Sequence, residues 1–243
     1  MGNNIFHFKA FSVRQECASM KVCTDSCLFA AWSARKIKEF LPSAPRLLDI
    51  GTGTGLLSLM IAQQVPVKIS VVEIDADAIH DAQHNFAHSP WKHRIDVYHN
   101  SIQNFASEAK EKYDLIICNP PFFSKSLNSP KEKKSLSKHE NNLSLEELIK
   151  YTKALLNDTG YAFIMLPADR DDQFRKIIKF QNLFLREVMN IHQTKHHTAF
   201  RKLYCLASTE PEVVAEGSMF IKKDKENYSA EFIDLLKPYY LAL

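Results

Sequence analysis

The stretch LLDIGTGTGLL, Leu47 to Leu57, decides the fold. Arg46 to Ile50 is a short apolar run that reads as a strand, and GLLSLMIAQQV behind it reads as a helix. Gly51, Gly53 and Gly55 occupy alternate positions between the two, where the backbone must turn sharply and approach a ligand closely. A dinucleotide site would instead show G-x-G-x-x-G, which seats a pyrophosphate on a helix N-terminus. The tighter G-x-G-x-G, preceded by Asp49, favours a ligand without phosphates. The carboxylate would repel a pyrophosphate but can serve the ammonium of a methionine moiety, directly or through water.

Outward from this turn, β-rich runs alternate with helical ones. VKISVVEI leads to ADAIHDAQHNFAH, RIDVYH and YDLIIC follow, and LSLEELIKYTKALL runs into GYAFIMLP. The alternation predicts an α/β fold with a Rossmann-like, doubly wound, mostly parallel sheet and helices on both faces. A helix is expected around Asp171 to Phe180, then LREVMNIHQ and FRKLYCLAS as an antiparallel hairpin at the sheet edge. Upstream, TDSCLFAAWSARKIKEFL has helical spacing, with Thr24 or Asp25 available as its N-cap. Glu73 ends the second strand about twenty residues past the glycines, where an acid grips a ribose diol in such folds. Asp75 is suited to cap the next helix. The plain alternatives are a loop carboxylate for Asp49 and a strand-end charge for Glu73.

CNPPFFS, Cys118 to Ser124, ends the fourth strand of this series. Pro120 holds Asn119 extended, and Pro120 and Pro121 lack N–H groups, so the segment is a stiff platform of carbonyl acceptors. Taken alone it reads as a proline-rich turn with two aromatics folded inward. The polar run Ser124 to Asn142 reads as a mobile loop beside it.

At 243 residues and 45% hydrophobic, the chain can bury a full core. It is expected to form one domain over residues 1–243, with an N-terminal extension of about 1–44 packed over the ligand pocket. A net charge of +3 permits nucleic acid without demanding it. No apolar run reaches bilayer-spanning length and the start lacks a signal-peptide pattern, so no membrane partner is expected. Five scattered cysteines argue for reduced thiols in the cytoplasm. Cys17, Cys23 and Cys27 lack a fourth ligand for zinc. The histidines between 192 and 197 lack a carboxylate or cysteine at ligand spacing, so no metal is expected.

Together these residues resemble the class I S-adenosylmethionine-dependent methyltransferases, in the amino-methylating branch with an [DN]-P-P-[YFW] motif. FKAFSVRQECASMKVCTDSCLFAAW, NFAHSPW, NPPFF and NYSAEFIDLLKPYYL are similar to the tRNA(Val) (adenine-37-N6)-methyltransferases, over essentially the whole chain. The resemblance implies S-adenosyl-L-methionine as cofactor, held by Thr24, Asp49, Gly51, Gly53, Gly55, Glu73, Ser101 and Asn119. It implies that Asn119 and Pro120 accept hydrogen bonds from the target amine, with Pro121 and Phe122 completing the motif and the Phe122 ring stacking on the base. It implies tRNA as the partner of a monomer, with Lys21, Thr24 and Asp25 closing the pocket. Lys21 is also expected at the RNA, and Lys133, Lys134, Lys138, Lys195 and Arg201, with His196, His197 and Lys202 nearby, could track phosphates; any one of them could equally belong to a solvated charged face. This chain departs from the family pattern at Cys23 and Ser26, which replace glycines, at Phe122 for Tyr, at Ser101 for an acid that meets the cofactor's adenine, and over Ser137 to Glu140. The same pocket could instead serve an rRNA or DNA base or a protein glutamine.

Overall fold

The computed structural model describes residues 4–18, 20–40, 45–120 and 143–243. A two-stranded antiparallel ribbon, β1 (Ile5–His7) and β2 (Ser12–Arg14), precedes the first helix, α1 (Thr24–Phe40). The chain then follows the expected alternation: β3 (Arg46–Ile50), α2 (Leu56–Gln64), β4 (Lys68–Glu73), α3 (Ala76–Ala87), β5 (Ile95–His99), α4 (Ile102–Glu108) and β6 (Tyr113–Cys118). After the undescribed residues come α5 (Leu145–Leu155), β7 (Leu156–Pro167), α6 (Asp171–Phe180), β8 (Phe184–His192), β9 (Ala199–Ala207), β10 (Ala215–Phe220) and α7 (Ala230–Leu236).

The last eight strands form one sheet in the order β10-β8-β9-β7-β6-β3-β4-β5. Strands β5, β4, β3, β6 and β7 run parallel, and β9 is antiparallel to both of its neighbours. The strand order reverses between β3 and β6, so the crevice beyond the carboxyl ends of these two strands is where an open α/β sheet takes its ligand. Period-2 alternation serves both faces. Leu47, Leu115 and Ile117 pack with α1, α2 and α7, while Leu48, Ile116 and Cys118 pack with α4, α5 and α6. Local chemistry starts the helices. Asp75 caps α3 by accepting the Asp77 and Ala78 N–H groups, and Ser144 and Glu147 close a capping box at α5.

Two expectations are corrected. The β8–β9 hairpin is not at the sheet edge, because β10 pairs in parallel with β8 and forms the edge itself. The β10 sequence, AEGSMF, carries a glycine and a charge and so hides its strand character. The first helix begins at Thr24, and the Cys27 N–H donates to the Cys23 carbonyl. Cys23 therefore holds the capping position, and Asp25 sits inside the first turn. No helix among the described residues is long and apolar enough to cross a membrane.

Candidate active site

The glycine turn is held open by backbone geometry. Gly51, Gly53 and Gly55 adopt φ of 69°, 57° and 83°, the left-handed region that disfavours side chains. A Cβ at Gly51 or Gly53 would meet nothing within 4 Å, whereas at Gly55 it would lie 2.5 Å from the Phe86 ring. The first two glycines thus line free space and the third lets α3 pack closely. Glu73, mostly buried, fixes the turn from the next strand. Its Oε2 accepts the Gly53 N–H at 2.9 Å, and its Oε1 accepts the N–H groups of Ile74 and Asp75, each at 3.0 Å. Asn85, from α3, accepts the Arg14 N–H and donates to the carbonyls of Arg14 and Thr54, tying β2 to the same turn.

Asp49 lies beneath the turn and is fully buried. Its Oδ2 accepts from Thr52 Oγ1 at 2.7 Å and Ser58 Oγ at 2.6 Å, while its Oδ1 has no hydrogen-bond partner among the described residues. Burial pushes the carboxyl up to about 6, against the pull of the Ser58 and Thr52 hydroxyls. An incoming cation would relieve this penalty. Thr52 and Ser58 were not among the residues singled out from sequence; a lone hydroxyl in the otherwise apolar helix LLSLMIA was the available signal.

One strand over, Asp49 pairs with Ile117, so Gly51 and Asn119 follow at matching positions just beyond the ends of β3 and β6. The Asn119 Nδ2 donates to Ser26 Oγ at 3.0 Å, and its Oδ1 is buried with no partner among the described residues. This acceptor sits at the switch point, and both Asn119 and Pro120 beside it are half-buried residues. Ser26 comes from the first turn of α1. Asp25, next to it, accepts from Arg201 Nε at 2.9 Å, so α1, β6 and β9 meet here.

The other expected residues are placed as follows. Thr24 and Lys21 are exposed at the N-terminal end of α1. Ser101 follows β5 and caps α4 by accepting the Asn104 N–H at 3.1 Å, a structural duty for the hydroxyl expected at a cofactor. Lys195 is exposed in the β8–β9 turn and lines a cleft of about 350 Å³ with Phe220, Lys222 and Lys223. Lys202 is paired with Asp171 and is not a free cation for phosphate. His197 accepts or donates within its own turn, to Thr194, and its carbonyl meets His192 Nδ1. Pro121, Phe122, Lys133, Lys134, Lys138 and the whole polar run Ser124 to Asn142 lie outside the described residues. Cys17, His80 and Asp81 bring ligand atoms within 4.8 Å of one another. Arg14 Nε already faces the buried Asp81 Oδ1 at 3.6 Å, and the Asp81 Oδ2 holds the Cys17 and Ala18 N–H groups. A metal would have to displace that guanidinium.

Residues 33–195 match the model of the methyltransferase small domain. The chain is 39% identical over 243 residues to the tRNA1(Val) (adenine(37)-N6)-methyltransferase of Dyadobacter fermentans, covering 98% of each chain. Among solved structures it superposes on a protein of Agrobacterium tumefaciens described as a predicted O-methyltransferase. The TM-score is 0.62 at 16% identity, over 88% of this chain and 95% of that one. It also superposes on the magnesium protoporphyrin IX methyltransferase of Synechocystis, solved with bound S-adenosylmethionine. Here the TM-score is 0.53 at 14% identity, over 76% and 80% of the two chains.

Proposed function

The chain belongs to the methyltransferase small-domain family and to the tRNA1(Val) (adenine(37)-N6)-methyltransferases within it, and on that premise we propose that it methylates the exocyclic N6 amine of adenine 37 in the anticodon loop of tRNA(Val). Its cofactor is S-adenosyl-L-methionine, which supplies an electrophilic methyl on a sulfonium. The residues present fit that group. Gly51 and Gly53 leave room for it, and the buried Asp49 Oδ1, without a partner among the described residues, is suited to face a cation. Glu73 retains lone pairs for the ribose hydroxyls beyond its three backbone donors. Asp49 acts on the ammonium end and Glu73 on the ribose end, on either side of the glycine turn.

The observation that carries the reading is the buried Oδ1 of Asn119, which has no hydrogen-bond partner among the described residues. With the Pro120 carbonyl it accepts the two N–H groups of the adenine amine and turns the nitrogen lone pair toward the methyl. Positioning of this kind supplies much of the rate of a displacement. As the nitrogen gains positive charge, two preorganised acceptors stabilise it. The methylated ammonium loses its proton to water, so the reading needs neither a metal nor a strong base. It takes the working unit as a monomer and puts the enzyme in the cytoplasm with its tRNA.

RNA would run along the same rim of the sheet. From β6 to β10 is four strand spacings, roughly 19 Å. Lys195, Lys222 and Lys223 around their cleft stand at that far end, where they would meet phosphates next to the target base. The test is mass spectrometry of nucleosides and of ribonuclease fragments of tRNA(Val) after incubation of the purified protein with S-adenosylmethionine. N6-methyladenosine at position 37 is expected. Transfer to another nucleotide, or none to tRNA, would overturn the reading.

A further inference from the structure

Asn119 can serve as an acceptor only if its amide oxygen, not its nitrogen, faces the substrate. An amide can turn over by 180° with little change in shape, so something must choose. A run of side-chain contacts leads away from it: Asn119 Nδ2 to Ser26 Oγ at 3.0 Å, Ser26 Oγ to Cys23 Sγ at 3.0 Å, Cys23 Sγ to Asp25 Oδ1 at 2.6 Å, and Asp25 Oδ2 to Arg201 Nε at 2.9 Å.

The donors in this run can be assigned from its charged end. A carboxylate held by a guanidinium only accepts, and Asp25 Oδ1 also takes the Ser26 N–H at 3.0 Å. The Cys23 thiol has one proton and must give it to Asp25. Burial and the neighbouring Asp25 both push that thiol up, so it keeps the proton. The sulfur can then only accept, and the single Ser26 hydroxyl proton goes to it. The Ser26 oxygen is left with lone pairs alone, which suit the Asn119 N–H₂ and exclude its carbonyl. We infer that Ser26 is a positioning residue for methyl transfer: its hydroxyl, oriented through Cys23 by the Asp25–Arg201 pair, fixes the Asn119 amide with its oxygen toward the target amine.

The inference rests on the reading of Asn119 under Proposed function. The test is steady-state methyl transfer to tRNA by wild type, Ser26→Ala, Ser26→Thr, Asn119→Ala and the Ser26→Ala/Asn119→Ala double variant. Ser26→Ala should lower kcat about three- to tenfold, the worth of one net hydrogen bond, with KM for cofactor and tRNA unchanged. Ser26→Thr, which keeps the hydroxyl, should restore most of kcat. On the Asn119→Ala background, Ser26→Ala should cost nothing further, because there is no amide left to orient. An unchanged kcat in Ser26→Ala overturns the inference. So does a loss of the same factor on the Asn119→Ala background, which would mark a purely structural effect. A wild type that transfers no methyl to tRNA defeats the proposed function and this inference with it, whereas an active wild type with an indifferent Ser26 defeats the inference alone.

Discussion

Asp49 and Asn119 stand near the ends of neighbouring strands, and each buries one oxygen without a partner among the described residues. Their surroundings differ. Asp49 is enclosed by residues within nine positions of it, Thr52 and Ser58, and the turn above is pinned by Glu73 from the next strand. Asn119 depends on Ser26, 93 residues away, and through it on Asp25 and Arg201. The first half of the site is local and woven into the backbone. The second is assembled from side chains on three distant elements. Damage to the first should therefore disturb folding and binding together, while damage to the second should fall on turnover.

The largest effect expected is on the second half. Asn119→Ala should lower turnover on tRNA by about a hundredfold to a thousandfold, the typical loss for one preorganised group. Cofactor affinity by calorimetry and the melting temperature should stay near those of wild type. If the variant instead lost affinity in step with activity, the two halves would not be separable.

Asp49 tests the first half through pH. Its carboxyl is raised in the fold from 3.8 to about 6, so the folded chain holds its proton more tightly than the unfolded chain does. The penalty is absent below about pH 4 and complete above about pH 6. Ligand-free wild type should lose stability relative to Asp49→Asn as pH rises through that window, by up to about 3 kcal/mol. Urea denaturation of both proteins at pH 4 and pH 7 measures it. A constant difference would mean that folding leaves the proton affinity of Asp49 unchanged.

A smaller change is expected at Glu73, where both roles meet. Glu73→Ala should weaken S-adenosylmethionine about ten- to thirtyfold, as a charge-assisted acceptor is lost. It should also lower the melting temperature, because the Gly53, Ile74 and Asp75 N–H groups lose their partner. An unchanged melting temperature would show that the turn holds without it and would sharpen the assignment to the ribose.

What could be read from sequence follows the same division. The glycine turn, the alternation of strands and helices, Glu73 and the Asp75 cap are all short-range patterns, and each is written within a few residues of where it acts. Ser26 was legible only as a departure from a glycine, because its partner lies 93 residues on and nothing in FAAW or TDSC encodes that contact. Ser101 showed the converse. A hydroxyl at the expected height after β5 turned out to accept the Asn104 N–H, a bond three residues long that sequence reasoning could have weighed first. β10 was missed because an edge strand buries one face only in part, and its single charge and its glycine removed the periodic signal.

The ribbon ahead of α1 is fastened to the segment after α7. Lys9 N–H donates to the Tyr239 carbonyl, Phe8 bridges Tyr240, Arg35 of α1 pairs with Asp234, and Gln63 Nε2 reaches the Pro238 carbonyl. The helix that carries Ser26 and Asp25 is thus clasped by residues made some two hundred positions later. On a ribosome adding 5–20 residues per second, that is a delay of roughly ten to forty seconds. During it, α1 can already pack against β3 and α2, its neighbours in sequence, and the ribbon and the last helix close over that face afterwards.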